Sequence, residues 1–382
     1  PLKLRMTNLN IAMNKNVLIL ILTKSLFFML LLSCSQNQKK ITNYSKSITK
    51  YSKYLKIIET DSGVYMTIIH PEKTSQSYNY FISNDLKTKT PNGFTRLDKK
   101  SMNFMVLYTT HVGMLAQLDQ LDKIIATCTG KYIHNQEIRN RLEKHLIQEF
   151  ESETNIPIEK IISLRPKTII YSGITTEFAK SKELIRLGIQ PIPNFDWKES
   201  HPIGRAEWLL FFGYLTGTEN QAKKYMKNLE LNYNNLKVKA SQAKRSPKII
   251  MGSKIGDFWF GPAGQSYAAQ ILIDANTDYI YKQTKGTGSV EYSLEKVFAD
   301  SKDSEFWINP GFFSYSLLEM NNPKASLFSA FQQKKVFCYT HNPNKYWELS
   351  SIHPDWVLSD LIQILHPELQ LNNPSYFYKA LE

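Results

Sequence analysis

Histidine and cysteine are scarce in this 382-residue chain, and neither clusters. The three cysteines, Cys34, Cys128 and Cys338, show no CxxC spacing, so neither a zinc knuckle nor a dithiol redox pair is indicated. Cys128 and Cys338 each end an apolar run and read as small buried hydrophobes. The eight histidines, His70, His111, His134, His145, His201, His341, His353 and His366, are scattered, although distant histidines can still converge in a fold. There is no HExxH, no GxSxG, no phosphate-binding loop and no GxGxxG. Gly286-Thr287-Gly288 is only a loop signal. No catalytic residue and no metal site can therefore be named, and an enzyme is not expected. The net charge is +13, yet the lysines are dispersed and no arginine-rich block alternates with aromatics as in single-strand binders. Nucleic acid is not an expected partner. Diffuse basicity suits an anionic ligand or an anionic lipid surface.

What is present organises around one stretch. From Thr218 to Ala243, Ala222, Tyr225, Met226, Leu229, Tyr233 and Leu236 recur at spacings of three and four. That spacing predicts one long amphipathic helix, about 40 Å if it runs the whole way. Thr218 is the candidate N-cap, and Glu219 suits the positive end of the helix dipole. Strand and helix patterns alternate on both sides of it. The stretch is either a rigid bridge between two α/β lobes or a long surface helix of a single domain; the flanks favour the bridge.

Residues 1–40 read as an address. A basic start with Lys3, Arg5 and Lys15 precedes an apolar region interrupted by Lys24, which argues against a spanning anchor. The region closes on Leu31-Leu32-Ser33-Cys34, which resembles the lipobox of bacterial lipoproteins, with Cys34 as the lipidated residue and a polar tether after it. Residues 41–100 read as a small β-rich lead-in without chemistry, with strands at Gly63–Ile69 and Tyr78–Ile82. Residues 101–203 alternate as βαβ units, which predicts a first lobe with a mainly parallel sheet. Its strands are placed near Phe104, Ile124, Ile169 and Ile189, with Thr109–His111 as a loop and 138–150 as helical. Residues 204–246 form the bridging helices. Residues 247–382 repeat the α/β pattern as a second lobe, with 254–265 as an aromatic loop and a closing helix at Pro354–Leu365.

An internal echo links the lobes. Ile158-Glu159-Lys160-Ile161-Ile162 precedes one strand, and Leu294-Glu295-Lys296-Val297-Phe298 precedes another in the same way. The longer run Ile158 to Ile170 resembles a segment of the substrate-binding proteins of ABC importers, in the branch that carries ferric siderophores, haem and cobalamin. Lys167 stands where that family's pattern has aspartate. Leu215 to Ala222, Gln265 to Ala275 and Ser293 to Val297 match as well, so the resemblance runs from about 101 to 370.

The resemblance implies two α/β lobes, each with a mainly parallel sheet flanked by helices, bridged by one long α-helix, with ligand in the cleft between them. It implies a monomer that binds without covalent chemistry and without a cofactor of its own, carrying an iron complex, haem or a corrin. It also implies a partner, an ABC permease dimer with its ATPase, into which Glu159 and Glu295 dock. With the lipobox it places the protein in the periplasm or cell envelope, held to the membrane through Cys34.

In parallel sheets, ligands meet the loops after the carboxyl ends of the strands. That rule selects Thr110, His111, Tyr132, Trp197 and Arg205 in the first lobe, and Trp259, Phe260, Tyr315, Tyr346 and Trp347 in the second. Aromatic faces suit a flat or greasy ligand, histidine and tyrosine can ligate iron, and arginine can pair with carboxylates. Trp197 and Trp347 are equally compatible with covering the core edge. Glu207 and Glu348 either fix a cleft arginine or are solvated. Rival functions are binding of a bare metal ion, which needs converging histidines and carboxylates, a lipoprotein hydrolase, which needs a nucleophile and base in reach, and an adhesion or sensor lipoprotein.

Overall fold

Apolar runs too short for helices become buried strands in this protein, and their order is set by helical crossovers. The computed structural model describes residues 46–382 except 84, 86, 100, 101, 129 and 174–176. The leader and Cys34 lie outside the described residues. Residues 47–382 form one compact unit. In its first lobe five parallel strands lie in the order Gln148–Phe150, Ile124–Cys128, Phe104–Val106, Thr168–Tyr171, Gln190–Pro193. The central strands Phe104–Val106 and Thr168–Tyr171 are buried along their whole length, as strands covered on both faces must be. Helices Thr109–Gln117, Gln136–Glu143, Ile158–Leu164 and Ser181–Arg186 make the crossovers. The stretch 138–150 is not one helix. It stops at Glu143, turns through His145 at positive φ, and pairs as a strand from Gln148.

The second lobe repeats the plan. Its sheet runs Asp278–Tyr279, Lys248–Met251, Phe306–Ile308, Val336–Cys338, Lys379–Ala380, parallel except for the last strand. The aromatic stretch 254–265 departs from expectation. It forms a hairpin of Ser253–Ile255 with Phe258–Pro262, turning at Gly256 (φ +59°), and Ser289–Ser293 joins as a third strand. Strand alternation then sends Trp259 inward and Phe258 and Phe260 to the other face.

Between the lobes lie helices Pro202–Ala206, Trp208–Thr216 and the 22-residue Glu219–Ala240. The last spans ~33 Å at the usual rise, shorter than its sequence pattern allowed. Ala222, Met226, Leu229, Tyr233 and Ala240 are its buried face, with Tyr225 and Leu236 half-buried beside them. Thr218 holds the N-cap position, but its hydroxyl bonds Thr216 and does not cap the helix. Tyr225 Oη donates to the Ile352 carbonyl at 2.7 Å and Tyr233 Oη to Asp274 Oδ2 at 2.8 Å, which pins the bridge to the second lobe. Among the described residues no helix is long and apolar enough to cross a membrane.

The lead-in contributes more than the sequence suggested. Leu55–Thr60, Gly63–Ile69 and Ser77–Ser83 form an antiparallel meander, and Thr95–Arg96 adds a short parallel edge. The residues before it are held by two buried glutamates. Glu207 accepts the backbone N–H groups of Lys50, Tyr51 and Ser52. Glu199, fully buried, accepts those of Lys53 and Tyr54, the Ser52 hydroxyl and the Trp208 indole N–H. Asp360 does the same near the C-terminus for Tyr376, Phe377 and Tyr378. Burial pushes all three carboxyls up and these hydrogen bonds pull them back.

Removing such an acceptor leaves several buried donors unmatched. Glu207→Ala is expected to cost roughly 3–5 kcal/mol of unfolding free energy, read by urea denaturation, with Glu207→Gln losing less.

A second test concerns Asp355 in the first turn of Pro354–Leu365, whose carboxyl burial pushes up to about 6. Between its unfolded and folded pKa values the native state keeps a proton that the unfolded chain has released, so stability falls as pH rises through that window. Asp355→Asn removes the titration. Its stability relative to the parent should improve by about 3 kcal/mol between about pH 4 and pH 7.

Candidate functional site

The first-lobe strands end at one cleft. A cavity of about 450 Å³ opens there, lined by Tyr108, Thr110, His111, Tyr132, Trp197 and Arg205 from the first-lobe side and by Tyr267, Asn344 and Trp347 from the second. A second cavity of about 470 Å³ adjoins it on the second-lobe side. The two share Trp197, Tyr267 and Trp347, and Phe260 and Tyr346 line the second. Eight of the ten residues selected from sequence thus come together along one cleft.

Two do not. Trp259 is fully buried against Trp307 and Phe328, because its place on the hairpin points it into the core. Tyr315 begins helix Tyr315–Asn321, packs on Phe331 and carries the Lys334 ammonium 3.8 Å over its ring, away from both cavities. Three further lining residues, Tyr108, Ser172 and Asp196, follow strands directly and were reachable by the strand-end rule. Tyr267 and Asn344 open helices and carried no such signal.

The cleft is aromatic with a buried charge pair at one wall. Arg205 Nε donates to Asp196 Oδ2 at 3.1 Å, both side chains about 95% buried. The guanidinium also sits 4.4 Å from the centroid of Tyr267 in the other lobe, a cation–π contact across the cleft. Burial raises the Asp196 carboxyl, while Arg205 acts in the opposite sense. Lys198 lies 4.7 Å over the Trp197 ring and Lys131 5.0 Å over Tyr132, so cations flank two of the aromatic walls. On the second-lobe side Tyr339 and Tyr346 stack face to face at 3.8 Å, with Trp347 edge-on to both.

His111 belongs to helix Thr109–Gln117 rather than to a loop. It is 1% exposed and its Nδ1 has no hydrogen-bond partner among the described residues. Burial lowers its pKa to about 3, so the imidazole is neutral. Among the described residues no group of three or more His, Cys, Asp or Glu is placed to hold a bare metal ion. Cys128 and Cys338 are buried free thiols, and burial pushes Cys128 up to about 12, far from a thiolate nucleophile.

Glu348 neither fixes an arginine nor meets solvent. It sits on Pro343–Leu349 of the second lobe, 1% exposed, and its Oε2 accepts the Thr109 hydroxyl at 3.1 Å and the backbone N–H groups of His134 and Asn135 at 2.7 and 3.1 Å, all in the first lobe. Asn344 adds a bond to the Lys131 carbonyl at 2.8 Å. The approach is close enough to require Gly113, where a Cβ would lie 2.2 Å from the Glu348 carbonyl oxygen. One carboxylate thus ties the lobes together beside the cleft.

Glu159 and Glu295 occupy matching places. Each is exposed in the first turn of a helix, Ile158–Leu164 and Leu294–Ser301, and each helix runs into a parallel strand of its lobe. Lys324 approaches Glu295 at 3.5 Å in an exposed pair.

The sequence profile of the periplasmic binding proteins matches residues 105–343. An uncharacterized lipoprotein of Methanocaldococcus jannaschii is 28% identical over 306 residues, 76% of this chain and 72% of the relative. A periplasmic haem-binding protein from Pseudomonas aeruginosa superposes with a TM-score of 0.58 at 13% identity, covering 74% of this chain and 98% of that one. A protein of an ABC-type Fe3+-hydroxamate transport system from Saccharomonospora viridis gives 0.51 at 16% identity, covering 69% and 93%. At these identities the two structural likenesses are of fold.

The inter-lobe tie generates its own test. Glu348→Ala is expected to widen the lobe arrangement, read as a larger radius of gyration in solution scattering, and to cost roughly 3 kcal/mol of stability. An unchanged radius would mean the bridging helix alone sets the lobe spacing.

Proposed function

The chain belongs to the periplasmic binding protein family, and from that premise we propose that it is the lipid-anchored binding protein of an ABC importer, capturing an iron complex such as a ferric siderophore, or a related tetrapyrrole such as haem or cobalamin. The observation that carries this reading is the aromatic cleft with Arg205 buried in its wall. Flat or aryl ligands stack on Tyr108, Tyr132, Trp197, Tyr267 and Trp347. A guanidinium has five N–H donors and Asp196 accepts the one at Nε; the terminal nitrogens are the groups proposed to meet a ligand carboxylate. The lysines over Trp197 and Tyr132 favour a net-negative ligand at the cleft mouth. If the cargo is haem, His111 offers a neutral imidazole with an unpartnered nitrogen.

Delivery follows from the same architecture. Glu159 and Glu295 are the carboxylates proposed to meet basic pockets of a permease dimer, one per lobe. Cys34 is the proposed lipidation site, which places the protein in the cell envelope. Binding and modest lobe movement are the whole mechanism; no covalent step is involved. A bare metal ion is not favoured, because the cleft brings aromatic rings rather than carboxylates and imidazoles together.

Titrating the protein with haem, ferric siderophores and cobalamin while following tryptophan fluorescence tests the ligand class; no quenching by any of them removes the reading. Arg205→Lys keeps a charge but loses the planar fork. It should weaken carboxylate-bearing ligands about 10- to 100-fold and uncharged ones little. Charge reversal of Glu159 with Glu295 should abolish uptake while leaving ligand affinity unchanged.

A further inference from the structure

The bridging helix has a second face that the binding reading does not use. Directly opposite its buried stripe runs a ridge of Lys224, Lys227, Leu231, Asn235 and Val238, spaced at three, four and seven. All five are exposed, and Leu231 and Val238 are 60% and 61% exposed. The two aliphatic residues lie two turns apart on the same line as the two lysines.

The ridge itself carries lysines and no carboxylate. The acidic groups next to it already have cations: Glu219 with Lys99, Glu230 with Lys50, Glu59 with Lys223, and Asp274 with Lys237. What the ridge presents outward is lysine and aliphatic carbon.

That start is fixed to this helix. Lys50 Nζ and Tyr51 Oη bond the Glu230 carboxylate at 2.7 and 2.9 Å, and Glu207 holds the backbone at Lys50 to Ser52. The described chain therefore starts on the flank of this helix. From Cys34 to Lys50 the chain can extend at most roughly 55 Å.

We propose that this ridge is a resting surface for an anionic membrane, on which Lys224 and Lys227 meet lipid phosphates and Leu231 and Val238 enter the headgroup boundary. The proposal rests on the lipid-anchor reading for its setting, since a lipidated Cys34 no farther than that length from Lys50 keeps the helix within reach of the bilayer. The recognition itself belongs to the ridge and does not need the lipid. Basic groups on an apolar helix face bind anionic leaflets by the same two forces in other interfacial helices.

The test uses residues 46–382, which contain the whole compact unit, without any acyl group. Sedimentation with phosphatidylcholine vesicles is compared with and without phosphatidylglycerol. Binding should require the anionic lipid and fall with added salt. Lys224→Glu with Lys227→Glu should lower partitioning about tenfold or more. Leu231→Ser with Val238→Ser should lower it by a smaller factor. Reversal of two exposed lysines elsewhere, Lys182→Glu with Lys302→Glu, makes the same change in net charge and should have far less effect. No binding to anionic vesicles overturns the proposal. Equal loss in both charge-reversed pairs also overturns it, since attraction would then be a property of net charge. Acylation is read separately, by palmitate labelling of the full chain and of Cys34→Ala. A failed anchor and a failed ridge therefore give different results.

Discussion

A carboxylate taken out of water must be given back its hydrogen bonds, and this protein meets that demand with donors from distant parts of the chain. Glu207 and Glu199 collect the segment 50–54, Asp360 collects 376–378, and Glu348 collects Thr109, His134 and Asn135. The backbone held, at 50–54, 134–135 and 376–378, is irregular and would otherwise leave N–H groups unmatched inside the protein. Each carboxylate is costly to bury and each is compensated at several points, so the chain path it fixes is hard to exchange for another. The lead-in, the lobe contact and the C-terminal edge strand all depend on this device. Helix and sheet supply the lobes; the buried acids decide how the pieces between them are routed.

Sequence periodicity made the regular elements legible and the routing illegible. Gly63–Ile69, the strand around Ile169 and the helix Pro354–Leu365 fall where their patterns place them, because apolar periodicity and turn residues mark each one locally. The stretch 138–150 reads as helix by composition, yet its last residues pair beside the strand Ile124–Cys128, a partner no local pattern reveals. Trp259 looked like a cleft residue while 254–265 read as a loop. Once that stretch pairs as a hairpin, alternation turns the indole into the core. Glu199, Glu207 and Glu348 are ordinary charged residues in sequence. The backbone segments they hold are more than 140 positions away, so their roles appear only with the fold.

The cleft follows from where the sheets end. Parallel strands deliver Tyr108, Ser172, Asp196 and Trp197 to one edge, and the second lobe brings Tyr267 and Trp347 against them. The result is a wall of rings around the buried Arg205–Asp196 pair, the mostly apolar lining with a few placed polar groups that is common to small-molecule sites.

The tie at Glu348 also bears on the thermodynamics of lobe opening. Its hydrogen bonds are made by the chain itself, so they favour this lobe arrangement over a wider one whatever lies in the cleft. Spreading the lobes would separate one buried carboxylate from three donors and require it to be rehydrated, a cost set by the chain's own architecture.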